Sequence, residues 1–94
     1  RSGRISYRES ILARLLPALR AFNPDLILLS AGFDAASGDV GNAKQLRNRG
    51  ACEGLDLVAE DYSWTTEKIQ QVADICCQGR VVSVLEGGYG EDER

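Results

Sequence analysis

The sequence predicts an α/β fold in which two parallel strands are connected through a helix. Two short apolar runs have the length of strands, residues 26–29 (LILL) and residues 81–85 (VVSVL). Residues 59–78, which lie between them, carry apolar side chains at helical spacing. A strand, a helix and a second strand in this order usually form a right-handed crossover in a parallel sheet whose faces are covered by helices. Both strands are therefore expected to be buried on both faces in the complete sheet of a longer protein, whereas in this chain alone their edges and apolar faces are expected to lie open.

A first helix is predicted over residues 7–21, ahead of the first strand. Ser6 and Glu9 have the spacing of a capping box, and Pro17 is expected to bend the helix. Apolar side chains recur at helical spacing after the cap: Ile11, Leu12, Leu15, Leu16, Leu19 and Phe22. The turn-forming residues 23–25 (NPD) then separate this helix from the first strand.

The remaining elements are a long loop and a second helix. Residues 32–54 contain five glycines among polar residues and keep no hydrophobic period, which predicts a loop. Loops of this length are uncommon in a compact domain and are often functional. The second helix is expected to end at Gly79 and to place these residues on its inner face: Tyr62, Ile69, Val72, Ala73 and Cys76.

The composition narrows the classes of function. A net charge of -3 disfavours nucleic acid and anionic membranes as partners, because both reward clustered Lys and Arg. No apolar run is long enough to span a bilayer. The three cysteines, Cys52, Cys76 and Cys77, show no paired spacing, which is typical of a reducing compartment. With 94 residues, the chain is expected to be one domain or a piece of one, with both ends internal to a longer protein.

The chain contains no histidine. Zinc sites usually need His or several Cys, and general-base chemistry near neutral pH is most often performed by His. A zinc-dependent hydrolase that contained this chain would therefore take several of its site residues from elsewhere.

Two candidate site residues follow the two predicted strands. Asp34 lies just after the first strand, and Tyr89 lies in the glycine-rich segment after the second (EGGYG). Because parallel strands end at the same edge of a sheet, where ligands bind, Asp34 and Tyr89 are expected to share a cleft. In such a cleft a carboxylate suits a metal ligand, and a phenol could hydrogen-bond a developing oxyanion.

Each motif also has a purely structural interpretation. An aspartate after a glycine, such as Asp34, commonly turns the chain, and a glycine-rich turn often carries a packed aromatic residue. A phosphate-binding loop is disfavoured, because no lysine follows the glycines. A cluster of Asp34, Asp39 and Glu86 for Mg²⁺ or Ca²⁺ is an alternative interpretation, as is a non-catalytic interaction module.

Three motifs of the chain resemble the histone deacetylase family and occur in the family's order. They are residues 22–35 (FNPDLILLSAGFDA), residues 54–57 (GLDL) together with residues 60–65 (EDYSWT), and residues 85–89 (LEGGY). The LE pair ahead of the glycines resembles the class II branch more than class I. The three motifs together cover nearly the whole chain, which makes the resemblance specific.

This resemblance implies that residues 1–94 are the C-terminal part of a catalytic domain with the three-layer α/β/α arginase-deacetylase fold. The family hydrolyses acetyl-lysine amides at a zinc ion. Its motifs identify Asp34 as a zinc ligand and Tyr89 as the hydrogen-bond donor to the acetyl carbonyl. Gly87 and Gly88, whose glycine backbone can come close to a bound molecule, are the expected substrate-binding residues. The family's other ligands and its histidine pair are absent from this sequence, so the chain alone is expected to be inactive.

The resemblance also implies partners and a location. The expected substrates are acetylated histones or other acetyl-lysine proteins, and a corepressor complex is a candidate partner in transcription regulation. The nucleus, the cytoplasm or both are the expected locations. An acetylpolyamine amidohydrolase of the bacterial type, which uses the same zinc chemistry, is the alternative enzyme.

The chain departs from the family pattern in the loop after Asp34. Many relatives carry a histidine after the Gly-Phe-Asp-Ala motif and an Asp-Pro-Leu soon after it, whereas this chain has residues 36–41 (ASGDVG). Residues 42–53 are also longer than in compact members of the family. If the cations of this loop, Lys44, Arg47 and Arg49, form the pocket rim, they would favour acetyl-lysines flanked by acidic residues. Alternatively, these side chains are simply exposed to solvent and contact no substrate.

Overall fold

The computed structural model describes residues 3–42, 44–46, 50–52 and 54–90 of the chain. Its elements, in chain order, are helix α1 (Gly3–Ser10), a π-helical segment (Ile11–Leu15), helix α2 (Leu16–Phe22), strands β1 (Ile27–Ala31), β2 (Lys44–Leu46) and β3 (Gly50–Cys52), helix α3 (Ala59–Cys76) and strand β4 (Val81–Leu85). Arg47 and Arg49 lie outside the described residues, as does the side chain of Lys44. The rim formed by these cations therefore stays a prediction.

Strands β1 and β4 form a parallel sheet. Ile27 lies opposite Val81, and the register continues to the end of both strands. Helix α3 lies between the two strands in the chain, so the predicted strand–helix–strand order is confirmed. One face of the sheet packs on this helix through a buried cluster: Ile27, Ile69, Ala73 and Cys77. The chain is therefore of the α/β class.

The opposite face of the sheet is exposed. Leu28 and Val82 lie opposite each other on this face, and their exposed fractions are 70% and 49%. Val84, two residues further along β4, is 54% exposed. This exposure agrees with the expectation that the apolar faces of the strands lie open in this chain alone, because the described helices pack only on the face that carries Ile27. Burial of the opposite face in the whole protein stays a prediction.

Helix α1 extends further towards the N-terminus than the sequence predicts. It includes Gly3, so Ser6 lies inside the helix and cannot be its N-cap. Arg4 and Arg8 project from this helix to the carboxylate of Asp61 on α3. The bond from Arg4 stabilises the first turn of α1, ahead of Ser6, by contact with α3. A capping pattern in the local sequence does not reveal such a long-range contact.

A π-helical segment interrupts the first helix just before Pro17. The backbone N–H of Leu16 donates a hydrogen bond to the carbonyl of Ile11, five residues earlier. Pro17 then occupies the first turn of α2, where its missing N–H is tolerated. The irregularity expected at Pro17 thus takes the form of a widened turn immediately ahead of it.

The loop predicted over residues 32–54 contains a short antiparallel pair. Strands β2 and β3 pair with each other and form a sheet separate from that of β1 and β4. The prediction of a loop without secondary structure is therefore wrong for these residues. Each strand is only three residues long, too short to produce a recognisable alternation in the sequence.

Helix α3 ends close to the predicted position. The backbone N–H of Gly79 donates a 3.0 Å hydrogen bond to the carbonyl of Ala73, and both Gln78 and Gly79 have positive φ. The helix buries Ile69, Val72 and Ala73, as its spacing predicts, and also Asp61, which the sequence did not place in the core. In the part of the chain that the structure describes, no helix combines the length and apolar character needed to cross a membrane.

Candidate active site

The segments that follow β1 and β4 remain side by side beyond the strand ends. The backbone N–H of Glu86 donates a 2.9 Å hydrogen bond to the carbonyl of Ala31. A methyl group built on Gly32 would lie 2.6 Å from the carbonyl oxygen of Glu86, closer than atoms can approach. A glycine at position 32 is therefore what allows the two backbones to run together at this edge of the sheet.

Asp34 and Tyr89 meet beside Gly87. A methyl group built on Gly87 would lie 2.8 Å from Oδ1 of Asp34 and 3.5 Å from Oη of Tyr89. The two oxygens therefore flank one small volume at the carboxyl ends of the parallel strands. The predicted proximity of these side chains is confirmed, and their chemical roles stay predictions.

The carboxylate of Asp34 and the phenol of Tyr89 differ in their surroundings. Asp34 is half-buried, and among the described residues no hydrogen bond or ion pair engages its carboxylate. Tyr89 is 66% exposed, with its ring against the segment that carries Gly41. The site therefore offers an anionic ligand and a hydroxyl donor, both of which can reach a bound molecule.

Asp39 organises the loop that carries Tyr89. Its Oδ2 accepts hydrogen bonds from the backbone N–H groups of Tyr89 at 2.7 Å and Gly90 at 2.9 Å. Its Oδ1 accepts a 2.8 Å bond from the N–H of Gly41. These bonds, that of Gly41 first, hold the pKa of Asp39 below its usual value. The sequence suggests Asp39 only as a member of a cation cluster, because its partners Tyr89 and Gly90 lie 50 and 51 positions away in the chain.

The structure does not support the carboxylate cluster considered for Mg²⁺ or Ca²⁺. Within residues 3–42 and 54–90, no group of three or more His, Cys, Asp and Glu side chains is arranged to hold a metal ion. Asp39 directs both oxygens at backbone N–H groups. Asp34, Asp39 and Glu86 therefore do not form the site that their types and spacing suggested.

A zinc ion fits these residues only in part. A catalytic zinc usually takes three protein ligands, and a half-buried carboxylate without a protein partner, such as that of Asp34, suits one of them. Among residues 3–42 and 54–90, Asp34 belongs to no group of three or more His, Cys, Asp and Glu side chains that could hold a metal ion. These residues do not make a complete zinc centre by themselves.

An aromatic pair contacts the glycine-rich loop. The rings of Phe33 and Tyr62 are 4.9 Å apart and pack edge to face at 71°. A methyl group on Gly88 would lie 3.3 Å from Cβ of Phe33, so the glycine-rich loop rests directly on this residue. Burial raises the pKa of the Tyr62 phenol, whose oxygen has no partner among the described residues. Phe33 therefore contacts both the glycine-rich loop and the ring of Tyr62 on α3.

The whole sequence matches a known protein family. The family model described as histone deacetylase domain matches residues 1–94. Among curated relatives, type-2 histone deacetylase 2 of Dictyostelium discoideum is 40% identical over 89 residues, which are 95% of this chain and 5% of the relative.

Two further relatives have similar identities. Histone deacetylase 5 of Arabidopsis thaliana is 41% identical over 78 residues, 83% of this chain and 10% of the relative. Polyamine deacetylase HDAC10 of Homo sapiens is 38% identical over 88 residues, 93% of this chain and 11% of the relative. The chain thus spans between 5% and 11% of the length of these three relatives.

Proposed function

The chain belongs to the histone deacetylase family, and from this premise we propose that the cleft of Asp34 and Tyr89 forms part of the active site of a zinc-dependent protein lysine deacetylase. The observation that carries the proposal is the convergence of these two side chains beside Gly87, at the carboxyl ends of parallel strands. Because the chain spans a small share of its relatives, the activity is proposed for the whole protein.

In this proposal Asp34 is one protein ligand of the zinc ion. Its carboxylate is not engaged by any described residue, so its oxygens are available to a cation. When bound, the zinc ion supplies polarisation of the amide carbonyl and activation of a water molecule. The remaining ligands and the general base come from other parts of the whole protein, since the described residues include no group of three or more His, Cys, Asp and Glu side chains that could hold a metal ion.

Tyr89 is the proposed donor to the acetyl carbonyl. Its phenol is exposed at the cleft and would donate a hydrogen bond to the carbonyl oxygen, which gains negative charge as the amide is attacked. Gly87 and Gly88 have no side chains to fill the space next to the reacting group. They therefore allow a substrate to approach the backbone of the loop.

The ligand role is tested with Asp34→Asn in the whole protein. We expect zinc content and deacetylase activity to fall together, because removal of one of three ligands leaves the metal weakly held. Asp25→Asn is the matched control, since Asp25 is exposed and lies just before β1, at the opposite end of that strand. Stoichiometric zinc in Asp34→Asn would show that Asp34 is not a ligand.

The role of Tyr89 is tested with Tyr89→Phe. We expect zinc to remain bound and kcat to fall by about 10²–10³-fold, the usual effect of losing one donor to an oxyanion. An unchanged kcat would remove Tyr89 from the reaction.

A second candidate function is the deacetylation of small acetylated polyamines. It is favoured by the 38% identity to a protein named as a polyamine deacetylase. The two functions are separated by comparing kcat/KM of the whole protein for an acetyl-lysine peptide and for an N-acetylated polyamine. A preference for the polyamine would replace protein lysine deacetylase as the proposed activity.

The finer biological setting follows from the same proposal. Acetylated histones or other acetyl-lysine proteins are the proposed substrates, and the nucleus or cytoplasm is the proposed location. Fractionation of cells that produce the whole protein tests the location, and purification from them tests for a corepressor complex.

A further inference from the structure

The loop that carries Tyr89 has few constraints of its own. Gly87, Gly88 and Gly90 all have positive φ, between 76° and 88°. Glycines place no side chains into the core, and a methyl group built on Gly90 would meet nothing within 4 Å. Tyr89 itself is 66% exposed. Something outside the loop must therefore hold it in the conformation that brings the phenol to Asp34.

Asp39 fixes the conformation of this loop through hydrogen bonds to its backbone. One of its carboxylate oxygens accepts the N–H groups of two consecutive residues, Tyr89 at 2.7 Å and Gly90 at 2.9 Å. The next residue, Val40, donates its N–H to the carbonyl of Gly90 at 2.9 Å. Three hydrogen bonds thus join residues 39–40 to residues 89–90, and two of them end on a single carboxylate oxygen.

The carboxylate is itself fixed relative to the segment that carries Asp34. Its other oxygen accepts the N–H of Gly41 at 2.8 Å, an Asx-type turn. The backbone N–H of Asp39 donates to the carbonyl of Ala36 at 3.0 Å, and its own carbonyl accepts from Asn42 at 3.0 Å. Asp39 therefore connects the loop of Asp34 to the loop of Tyr89 through a network in which both of its oxygens are used.

We propose that Asp39 is a positioning residue that fixes the phenol of Tyr89 against the zinc ligand Asp34 by binding the backbone of the glycine-rich loop. The inference rests on the proposed function, because it assigns Asp39 no chemistry apart from that of Tyr89. Two acceptor oxygens are required. An amide at position 39 would turn an N–H₂ group towards either Gly41 or the Tyr89 loop, where only N–H donors are present.

The test uses Asp39→Asn in the whole protein, with zinc content, kcat and KM measured separately. We expect stoichiometric zinc, a nearly unchanged KM and a kcat lowered by about 10- to 100-fold, since small misplacements of a reacting group have costs of this order. Asp56→Asn is the matched control. Asp56 binds the side chain of Asn42 on the same side of the fold and makes none of the bonds to residues 89–90.

A double-mutant cycle separates positioning from general damage. If Asp39 acts through Tyr89, then Asp39→Asn should lower kcat in the native background and have little further effect in Tyr89→Phe. Equal fold-losses in both backgrounds would overturn the proposal, because the carboxylate would then act independently of the phenol. Loss of zinc from Asp39→Asn, or no loss of kcat, would overturn it as well.

The remaining outcomes are also decisive. If Asp39→Asn does not fold, Asp39→Glu replaces it in the double-mutant cycle, because glutamate keeps a carboxylate displaced by one methylene. Equal fold-losses of kcat in the native and Tyr89→Phe backgrounds would again overturn the proposal. If Tyr89→Phe alone leaves kcat unchanged, the proposed role of Tyr89 fails and the inference fails with it. If Tyr89→Phe lowers kcat while the Asp39 variants do not, the inference fails and the proposed function stands.

Discussion

Arg4 and Asp61, which are 57 positions apart, form an ion pair in which Nε of the arginine lies 2.7 Å from Oδ2 of the carboxylate. Nε of Arg8 donates a 2.9 Å bond to the other oxygen. Asp61 is fully buried, and its Oδ2 also accepts the backbone N–H of Val58 at the start of α3. One carboxylate thus joins α1 to the N-terminus of α3 and satisfies a helix-end donor.

The first prediction is that Asp61→Asn lowers the stability of the whole protein by about 1–2 kcal/mol. A neutral asparagine cannot form the charge-assisted hydrogen bonds that the carboxylate makes with both arginines. The arginines are partly exposed, so solvent screens the ion pairs and reduces the stability that is lost. The urea midpoint of unfolding measures the change. Asp74→Asn is the control, because Asp74 is exposed on the same helix and its carboxylate bonds only to Gln70 among the described residues. Equal midpoints for the two variants would contradict the prediction.

The same site predicts a dependence on pH. Hydrogen bonding from Arg4 is the largest of the effects that lower the pKa of Asp61 from 3.8 to about 2. A carboxyl group with a lowered pKa stabilises the fold above its unfolded pKa and loses this contribution as pH falls through the folded pKa. The difference in urea midpoint between the native protein and Asp61→Asn should therefore narrow as pH falls from about 5 to about 2. A difference that widens on acidification would refute the assignment.

The second prediction concerns the exposed face of the sheet. We propose that the third layer of the deacetylase fold covers this face in the whole protein, where Leu28 would then be buried. Leu28→Ala should then destabilise the whole protein by roughly 2–5 kcal/mol, the range for a leucine in a core. Ile75, 62% exposed on α3, gives the control Ile75→Ala, which should change stability by less than about 0.5 kcal/mol. Thermal unfolding measures both, and equal small effects would mean that Leu28 stays exposed.

The elements that the sequence predicts well are those with a local signal. The apolar runs around Ile27 and Val81 and the helical period of α3 are visible in the sequence, and the structure pairs the two strands in parallel. The proximity of Asp34 and Tyr89 follows from that topology, because parallel strands deliver both residues to the same edge.

The features that the sequence does not predict depend on long-range contacts. The sequence predicts Asp39 as a member of a cation cluster, whereas its bonds reach across 50 positions to Tyr89. Asp61 carries no sign of its burial, because its arginine partners lie on another helix. The local sequence predicts a helix cap at Ser6, whereas the long-range contacts of Arg4 extend α1 beyond it. Local pattern shows where a residue lies along an element, whereas its partners are set by tertiary packing.

The third prediction is that residues 1–94 alone, supplied with zinc, do not hydrolyse acetyl-lysine peptides. A catalytic zinc usually takes three protein ligands, and the described residues include no group of three or more His, Cys, Asp and Glu side chains that could hold a metal ion. The sequence also contains no histidine to act as a base. Hydrolysis is compared with a control that contains the same zinc and no protein. A rate above that control would contradict the prediction.

The fourth prediction compares two glycines of the loop that carries Tyr89. Gly87 and Gly90 have similar positive φ values, 76° and 81°, so an alanine at either position carries a similar backbone strain. Their surroundings differ, because a methyl group on Gly87 would lie 2.8 Å from Oδ1 of Asp34, whereas one on Gly90 would meet no atom within 4 Å. Gly87→Ala must therefore move either the loop or the carboxylate.

We expect Gly87→Ala to lower zinc content and kcat/KM of the whole protein together, because the displaced carboxylate is the proposed metal ligand. Gly90→Ala should keep its zinc and most of its activity, with a loss of stability of about 1 kcal/mol from backbone strain alone. Metal analysis and steady-state kinetics on both variants separate steric displacement of Asp34 from strain in the loop. If the two variants lose zinc equally, strain in the loop explains the loss. The contact between a methyl group at position 87 and Asp34 would then not be the cause of the lowered zinc content.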